Sequence, residues 1–473
     1  MEKTKRKAHI RLPARASLWY VATSALQRSV GVIGTPIFTR LLTAGEYGLF
    51  PLYNTWLGII TVIVTLEITG GIALRGLQKY KERRSEYISA SVGLIGCVFL
   101  IICVLYYAFK DAINQLTGLS TFITSVMLVQ IFANAAINLY TQECKYSYNY
   151  KTVAIINIFS ALTSPFIAVM LIILTPFGAE ARIFAGAIVS VIIAAPIIYT
   201  VIKRGKTLFD LELWRYLLKA AIPLLPHYIS MSVILRVGEI TIGRVHGTEA
   251  LGRYSVALSV GMSISIITNG LLSALSPWML RKLDRGKNEQ IRKLLLLLTR
   301  GLSLFCLLVL SVVPELVRII TPSEYHGCLI AVYPLSLSAI PTFLSGVVTQ
   351  GAMYYERSSV SAIPSVCAAV ISTVLSLAVL PRVDWRFVSL FVLLSYLILF
   401  ILNSLTFKKL SGEYPIDMKK TAATYLLCVV YASFLLLLKD YPLARAIAAI
   451  PLIPPLVTLG IRAYGEIKER SEA

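Results

Sequence analysis

Gln27-Arg28-Ser29-Val30-Gly31-Val32-Ile33-Gly34-Thr35-Pro36-Ile37-Phe38-Thr39-Arg40-Leu41-Leu42-Thr43-Ala44-Gly45-Glu46-Tyr47-Gly48 reads as the second half of an apolar helix, an arginine near its centre, running into a short polar turn. A helix that begins near Ser17 rises about 1.5 Å per residue, which puts Arg28 roughly 17 Å in, halfway through an apolar layer about 30 Å thick. A cation there costs about 3 kcal/mol on insertion scales, so it is expected to face a cavity or a carboxylate instead of lipid. Composition is what makes the bilayer the right frame. Hydrophobic residues make up 57% of the 473 and charged residues 15%, and the mean hydropathy is +0.75. That excludes a water-soluble domain and defines a polytopic membrane protein. Six basic residues before residue 17 imitate the start of a signal peptide, but the apolar segment after them carries Gln27 and Arg28 and runs on to Phe38. It is read as a retained span.

Outward from this first span, 17–38, apolar segments follow at 48–74, 88–109, 120–140, 152–174 and 182–202. A second set falls at 217–237, 253–280, 294–314, 328–350, 359–380 and 385–406, and a last pair at 421–438 and 443–461. Each is long enough, or nearly so, to cross as a helix, giving fourteen spans in an all-α chain. With the N-terminus inside, 32 of the 45 Lys and Arg lie in inside segments, ten in outside turns (Arg182 and Arg445 among them) and three within spans. Positive-inside bias therefore places both termini in the cytoplasm. It also accounts for the net charge of +21 by basic loops facing anionic lipid, with no nucleic-acid partner.

Arg40 precedes Gly48 by eight residues, and Arg244 precedes Gly252 by eight, 204 residues further on. Each pair brackets the turn between a first and a second span. The expected organisation is a basic cytoplasmic segment 1–16, an N-terminal lobe 17–202, an inter-lobe loop 203–216, a C-terminal lobe 217–406, two further spans within 421–461 and a tail 462–473. Two six-span lobes of like orientation are related by an axis along the membrane normal, and such halves commonly enclose a site near the midplane.

Other polar residues inside the spans are the remaining site candidates. Glu67, with Thr65 and Thr69 nearby, is a carboxylate of the kind ion coupling needs, or a structural partner for Arg28. Gln130, Asn134 and Asn138 recur every four residues on one helical face, a stripe suited to sugar hydroxyls or to hydrogen bonds between helices. Pro223 and Pro226 should loosen the seventh span into a hinge, with His227 beside them as a substrate contact or a packing residue. Arg236 and Glu239, close to the outer surface, read as an external gate or a local pair. Arg300 reads as a snorkelling side chain. Seven scattered cysteines and four histidines show no ligand spacing, so no metal is expected. No phosphate-binding loop is present, so ATP hydrolysis is unsupported and energy must come from an ion gradient, H+ or Na+, or from the substrate's own gradient.

The run Gly34 to Leu49 resembles the N-terminal signature of the polysaccharide transporter (Wzx-like) family of the multidrug/oligosaccharidyl-lipid/polysaccharide (MOP) exporter superfamily. Gly247-Thr248-Glu249-Ala250-Leu251-Gly252-Arg253-Tyr254-Ser255-Val256-Ala257 is similar to the turn that opens its C-terminal half. The resemblance implies a MATE/MurJ-like fold and a flippase, not an enzyme, which moves undecaprenyl-diphosphate-linked oligosaccharide across a prokaryotic cytoplasmic membrane by alternating access. Other polysaccharide-assembly membrane proteins are its implied partners. Under that reading Arg28 matches a diphosphate in charge and planar geometry, and the last two spans offer a groove for the prenyl tail. Lipid II flippases resemble this chain around Gln27 to Gly45 but carry an Arg-Asp pair where Gly34-Thr35 stands, which makes lipid II the lesser expectation. A cation-coupled drug exporter would share the fold but is expected to have more acidic residues in its N-terminal lobe. A membrane-embedded polysaccharide polymerase would need a sizeable outer loop, and the turns here are short.

Overall fold

A computed structural model describes residues 34–147, 149–354 and 362–468. Among the described residues the chain is helical with no strand, as it must be where lipid offers the backbone no partners. Among the described residues twelve helices are long and apolar enough to span a membrane. A thirteenth is formed if Gly247–Gly261 and Ile264–Ser273, bent by 43° to each other, count as one. The first expected span, 17–38, lies mostly outside the described residues, and with it Gln27 and Arg28.

The described chain forms two compact units, one running to Ser232 and including Gly247–Gly252, the other comprising Val233–His246 and the chain from Arg253 onward. In unit 1, helix α1 (34–41) leads into α2 (Ala44–Thr65), α3 (Ala73–Lys79), α4 (Arg84–Ala108), α5 (Lys110–Thr117), α6 (Thr121–Tyr146), α7 (Tyr150–Leu174), α8 (Glu180–Gly205), α9 (Leu211–Ala221) and the first turns of α10 (Leu225–Val245). Helix α8 is the hub, packing on α2, α4, α6 and α7. Ala181, Ala185, Ala187, Ser190 and Ala194 are all buried on it, small residues that let helix backbones approach where no hydrophobic force drives association. By contrast α7 buries little of itself and turns Ile155, Phe166, Ile173 and Leu174 outward, a lipid-facing surface.

The signature turn has a local physical basis. Thr43 caps α2, its Oγ1 accepting from the Glu46 amide at 3.3 Å while Glu46 Oε2 accepts from the Thr43 amide at 3.0 Å. This reciprocal box satisfies donors that a helix start otherwise leaves open. The continuous span expected over 48–74 is broken instead. Leu66 (φ 48°) and Glu67 (φ 52°) both adopt the left-handed conformation, and a π turn, Ile68–Ile72, follows before α3. Two such residues in succession cost of order 1–3 kcal/mol each and persist only where surroundings hold them. One brace is Gln142 on α6, whose Nε2 donates to the Thr69 carbonyl at 3.1 Å.

The stretch expected as an inter-lobe loop, 203–216, is largely helical. Lys203 to Gly205 finish α8, and Asp210 caps α9, its Oδ1 accepting from the Leu213 amide at 3.1 Å. Arg83 binds Asp210 and Glu86, each at 2.7 Å, and Trp214 donates to the Ala90 carbonyl. The Leu213 amide and, after it, the Arg83 guanidinium hold the Asp210 carboxyl below the usual range. Tied down in this way, α9 and the start of α10 belong to unit 1, so the boundary falls at Ser232 instead of within 203–216. Between the two helices Pro223 sits in a 3-10 turn, Ile222–Leu224, and Pro226 opens α10. Proline cannot donate into the preceding turn, which explains the interruption.

Unit 2 continues through the rest of α10 and α11 (Gly247–Gly261, from Arg253) to α12 (Ile264–Asp284), α13 (Asn288–Ile320), α14 (Leu329–Leu337), α15 (Ala339–Tyr354) and α16 (Ala362–Val374). It ends with α17 (Val388–Ser411), α18 (Met418–Leu437), α19 (Pro442–Ala449) and α20 (Ile453–Lys468). Helix α15 packs between α12 and α17, and α13 carries α18, α19 and α20. Asn403 on α17 donates to Ser345 Oγ at 2.7 Å and Thr349 Oγ1 at 3.2 Å on α15, a buried amide used as helix glue.

Candidate functional site

Five helices of unit 1 leave a cavity of about 310 Å³ between them. Gly34 and Phe38 contribute from α1, Phe50, Tyr53 and Asn54 from α2, and Gln130 from α6. Ser160, Ser164 and Ala168 come from α7, and Arg182 and Gly186 from α8. The four-residue steps 160–164–168 and 182–186 each keep one helical face on the space, as does the 50–53–54 set on α2. Tyr53 donates its hydroxyl to Gln130 Oε1 at 2.5 Å, so the phenol and the amide are fixed as a pair. Replacing Tyr53 by Phe is expected to cost about 1 kcal/mol of stability, read as a small fall in thermal midpoint of the purified protein.

Arg182 decides the electrostatics. Its guanidinium carbon lies 3.7 Å from the Phe50 ring centre, 4.1 Å from that of Phe38 and 5.4 Å from that of Tyr47. Desolvated contacts of this kind reach about 2 kcal/mol or more. Aromatic faces thus hold the cation where a carboxylate ordinarily would. Tyr47 hydrogen-bonds to it, no carboxylate among the described residues acts on it, and Arg182 Nη1 is buried without a hydrogen-bond acceptor among those residues. Among the described residues no lining residue is acidic. The described residues make a small chamber with one positive charge, a paired phenol and amide, a second amide and two serine hydroxyls. Such a chamber suits an anion that also carries hydroxyl groups.

Among the described residues, Gln130 alone of the expected set lines this cavity. Asn134 is half-buried and Asn138 exposed further along α6, and neither lines it. The four-residue stripe does continue to Gln142, the brace on the broken span, a continuation the sequence reading did not draw. Glu67 sits at that break, half-buried, with its Oε1 folded over Gly70. His227 stacks edge-on to Tyr228 with ring centres 5.4 Å apart. Arg236 and the buried Glu239 lie on the unit 2 part of α10, and Arg236 acts electrostatically on Tyr396 and Glu239 on Tyr254. Gln27 and Arg28 fall outside the described residues. Arg182 was missed because a turn was expected around it. No local sequence signal marked it, because Phe38, Tyr47 and Phe50 stand more than 130 residues earlier in the chain.

Unit 2 holds a separate groove of about 610 Å³ between α13, α18 and α20. Its walls include Leu304, Leu307, Leu427 and Leu452, and it is also lined by Arg300 and Lys420.

These features define a class first, a multi-pass helical membrane protein whose fold is like that of solved MurJ and MATE structures. At 14% identity and a TM-score of 0.65, the chain is similar over 95% of its length to 99% of the lipid II flippase MurJ in an inward closed conformation. It is similar over 86% of its length to 95% of an inward-facing multidrug resistance MATE transporter, at 12% identity and a TM-score of 0.63. An outward-facing MATE transporter matches at 14% identity and 0.57, over 90% and 96% of the two chains. The chain belongs to the polysaccharide biosynthesis protein family, whose pattern matches residues 14–282. Among curated proteins no sequence matches.

Proposed function

We propose that this protein is a flippase that carries undecaprenyl-diphosphate-linked oligosaccharide across a prokaryotic cytoplasmic membrane by alternating access, with both termini in the cytoplasm. The single observation that carries the reading is the Arg182 cavity, a cationic, hydroxyl- and amide-lined chamber inside a membrane-embedded helical unit. Family membership in polysaccharide biosynthesis supports it, and positive-inside bias supports the orientation. The unit 2 groove, apolar-walled with Arg300 and Lys420 along it, suits a prenyl chain ending in phosphate. In this reading Glu67, half-buried at the broken span, couples movement to H+ or Na+.

The absence of acidic groups among the described lining residues weighs against the exporter reading, since a cation-expelling chamber needs carboxylates. The test is leaflet-resolved transport of a labelled undecaprenyl-diphosphate oligosaccharide in vesicles reconstituted with the intact chain. Protein-dependent movement is expected, slowed roughly 30-fold by Arg182→Gln, equivalent to a lost charged hydrogen bond of about 2 kcal/mol. Vesicles that move no lipid-linked sugar but expel organic cations under an imposed gradient would replace this reading with the exporter.

A further inference from the structure

The geometry points to the Arg182 cavity as the seat of one acidic sugar, a single ring bearing a single carboxylate, and not of the diphosphate. For its biological meaning this rests on the flippase reading above. Charge is the first argument. Among the described lining residues Arg182 alone is charged, whereas a diphosphate brings at least two negative charges. One of them would stay uncompensated in a helical interior, where an unpaired charge is costly. A carboxylate brings one charge, which the guanidinium balances.

Shape and valence agree with charge. Phe38 and Phe50 pack against the guanidinium at 4.1 and 3.7 Å and Tyr47 takes part of its hydrogen-bonding capacity, so its remaining N–H groups are what it offers a ligand. A planar carboxylate suits such a fork. The rest of the lining both donates and accepts through Tyr53, Gln130, Asn54, Ser160 and Ser164. Sugar hydroxyls need both roles, while phosphate oxygens at neutral pH chiefly accept. A volume of about 310 Å³ is near the lower limit for small-molecule pockets, room for one ring and not for a repeat unit. Gly186 helps to keep that room, since a Cβ there would come within 3.2 Å of Gln130 Nε2 and 3.9 Å of Ser164 Oγ.

Binding tests this without relying on transport. The full chain in lipid nanodiscs is titrated with glucuronate, glucose and inorganic pyrophosphate, using saturation-transfer NMR for the sugars and competition for pyrophosphate. Glucuronate is expected to bind at least tenfold more tightly than glucose, and pyrophosphate not to displace it. Arg182→Gln should erase the preference, Arg182→Lys should keep part of it, and Gly186→Ala should weaken the binding of both sugars. Thermal midpoints confirm that each variant is folded, and the ligand comparison on the intact chain stands even if a variant is not. Equal binding of glucose and glucuronate, no binding of either, or displacement by pyrophosphate that depends on Arg182 would overturn the inference. Glucuronate binding by a chain that flips no lipid-linked glycan would refute the flippase reading and leave this one standing. Transport without glucuronate binding would do the reverse.

Discussion

Gly48→Ala is expected to prevent stable assembly of unit 1. A Cβ at Gly48 would fall 1.8 Å from the Thr248 carbonyl oxygen and 2.6 Å from its carbon, and a Cβ at Gly252 would fall 2.5 Å from the Ala44 carbonyl oxygen. Both obstacles are backbone, so no rotamer change relieves them, and α2 must move bodily off the Gly247–Gly252 segment. Overpacking against movable side chains costs about 1–3 kcal/mol. Here the expected loss is about 3 kcal/mol or more, seen as a collapse of the monodisperse peak in size-exclusion chromatography and a fall of many degrees in thermal midpoint. An unchanged midpoint would refute the close approach. Position explains the choice of residue. Gly48 and Gly252 are the two glycines that stand 204 residues apart in the repeat, and in the folded chain they meet, each missing side chain making room for the other's helix.

That meeting shows how far the sequence could be read. Hydropathy alone located the spans because each must be apolar for some twenty residues, and the repeat singled out Gly48 and Gly252 without revealing that they touch. Local backbone geometry was harder. The break at Leu66–Glu67 was invisible to a hydropathy window, since the residues on either side are equally apolar. Only Gly70-Gly71 hinted that the helix could not continue. The cavity was half legible: Gln130 followed from helical spacing, but Arg182 was assigned to a turn because aromatic faces, not an acidic partner, make its burial tolerable. Arg445 misled in the same way. It too was counted in an outer turn, yet it is fully buried. Arg28, the leading candidate from sequence, lies outside the described residues, and the cationic chamber rests on Arg182.

Arg445 carries the second large effect. Its Nε donates to the Leu438 carbonyl at 3.0 Å and its Nη1 to the Ser311 carbonyl and to Glu315 Oε2, each at 2.8 Å, while Nη2 closes a second bond to Glu315 Oε1. The fork therefore pins the first turn of α19 to α13. Removing one member of a buried pair costs about 3–5 kcal/mol because the survivor is left uncompensated. Glu315 is partly exposed, at 37%, so its loss is expected near the lower figure, about 3 kcal/mol. The two singles are not equivalent. Glu315→Ala strands a buried guanidinium on two carbonyls, whereas Arg445→Met leaves a carboxylate that water can reach. Glu315→Ala should therefore be the worse, and Arg445→Met introduced on top of it should recover part of the lost thermal stability. Double-mutant analysis of the thermal midpoints checks this. Strictly additive losses would mean that the pair is not coupled and that α19 is held by packing alone.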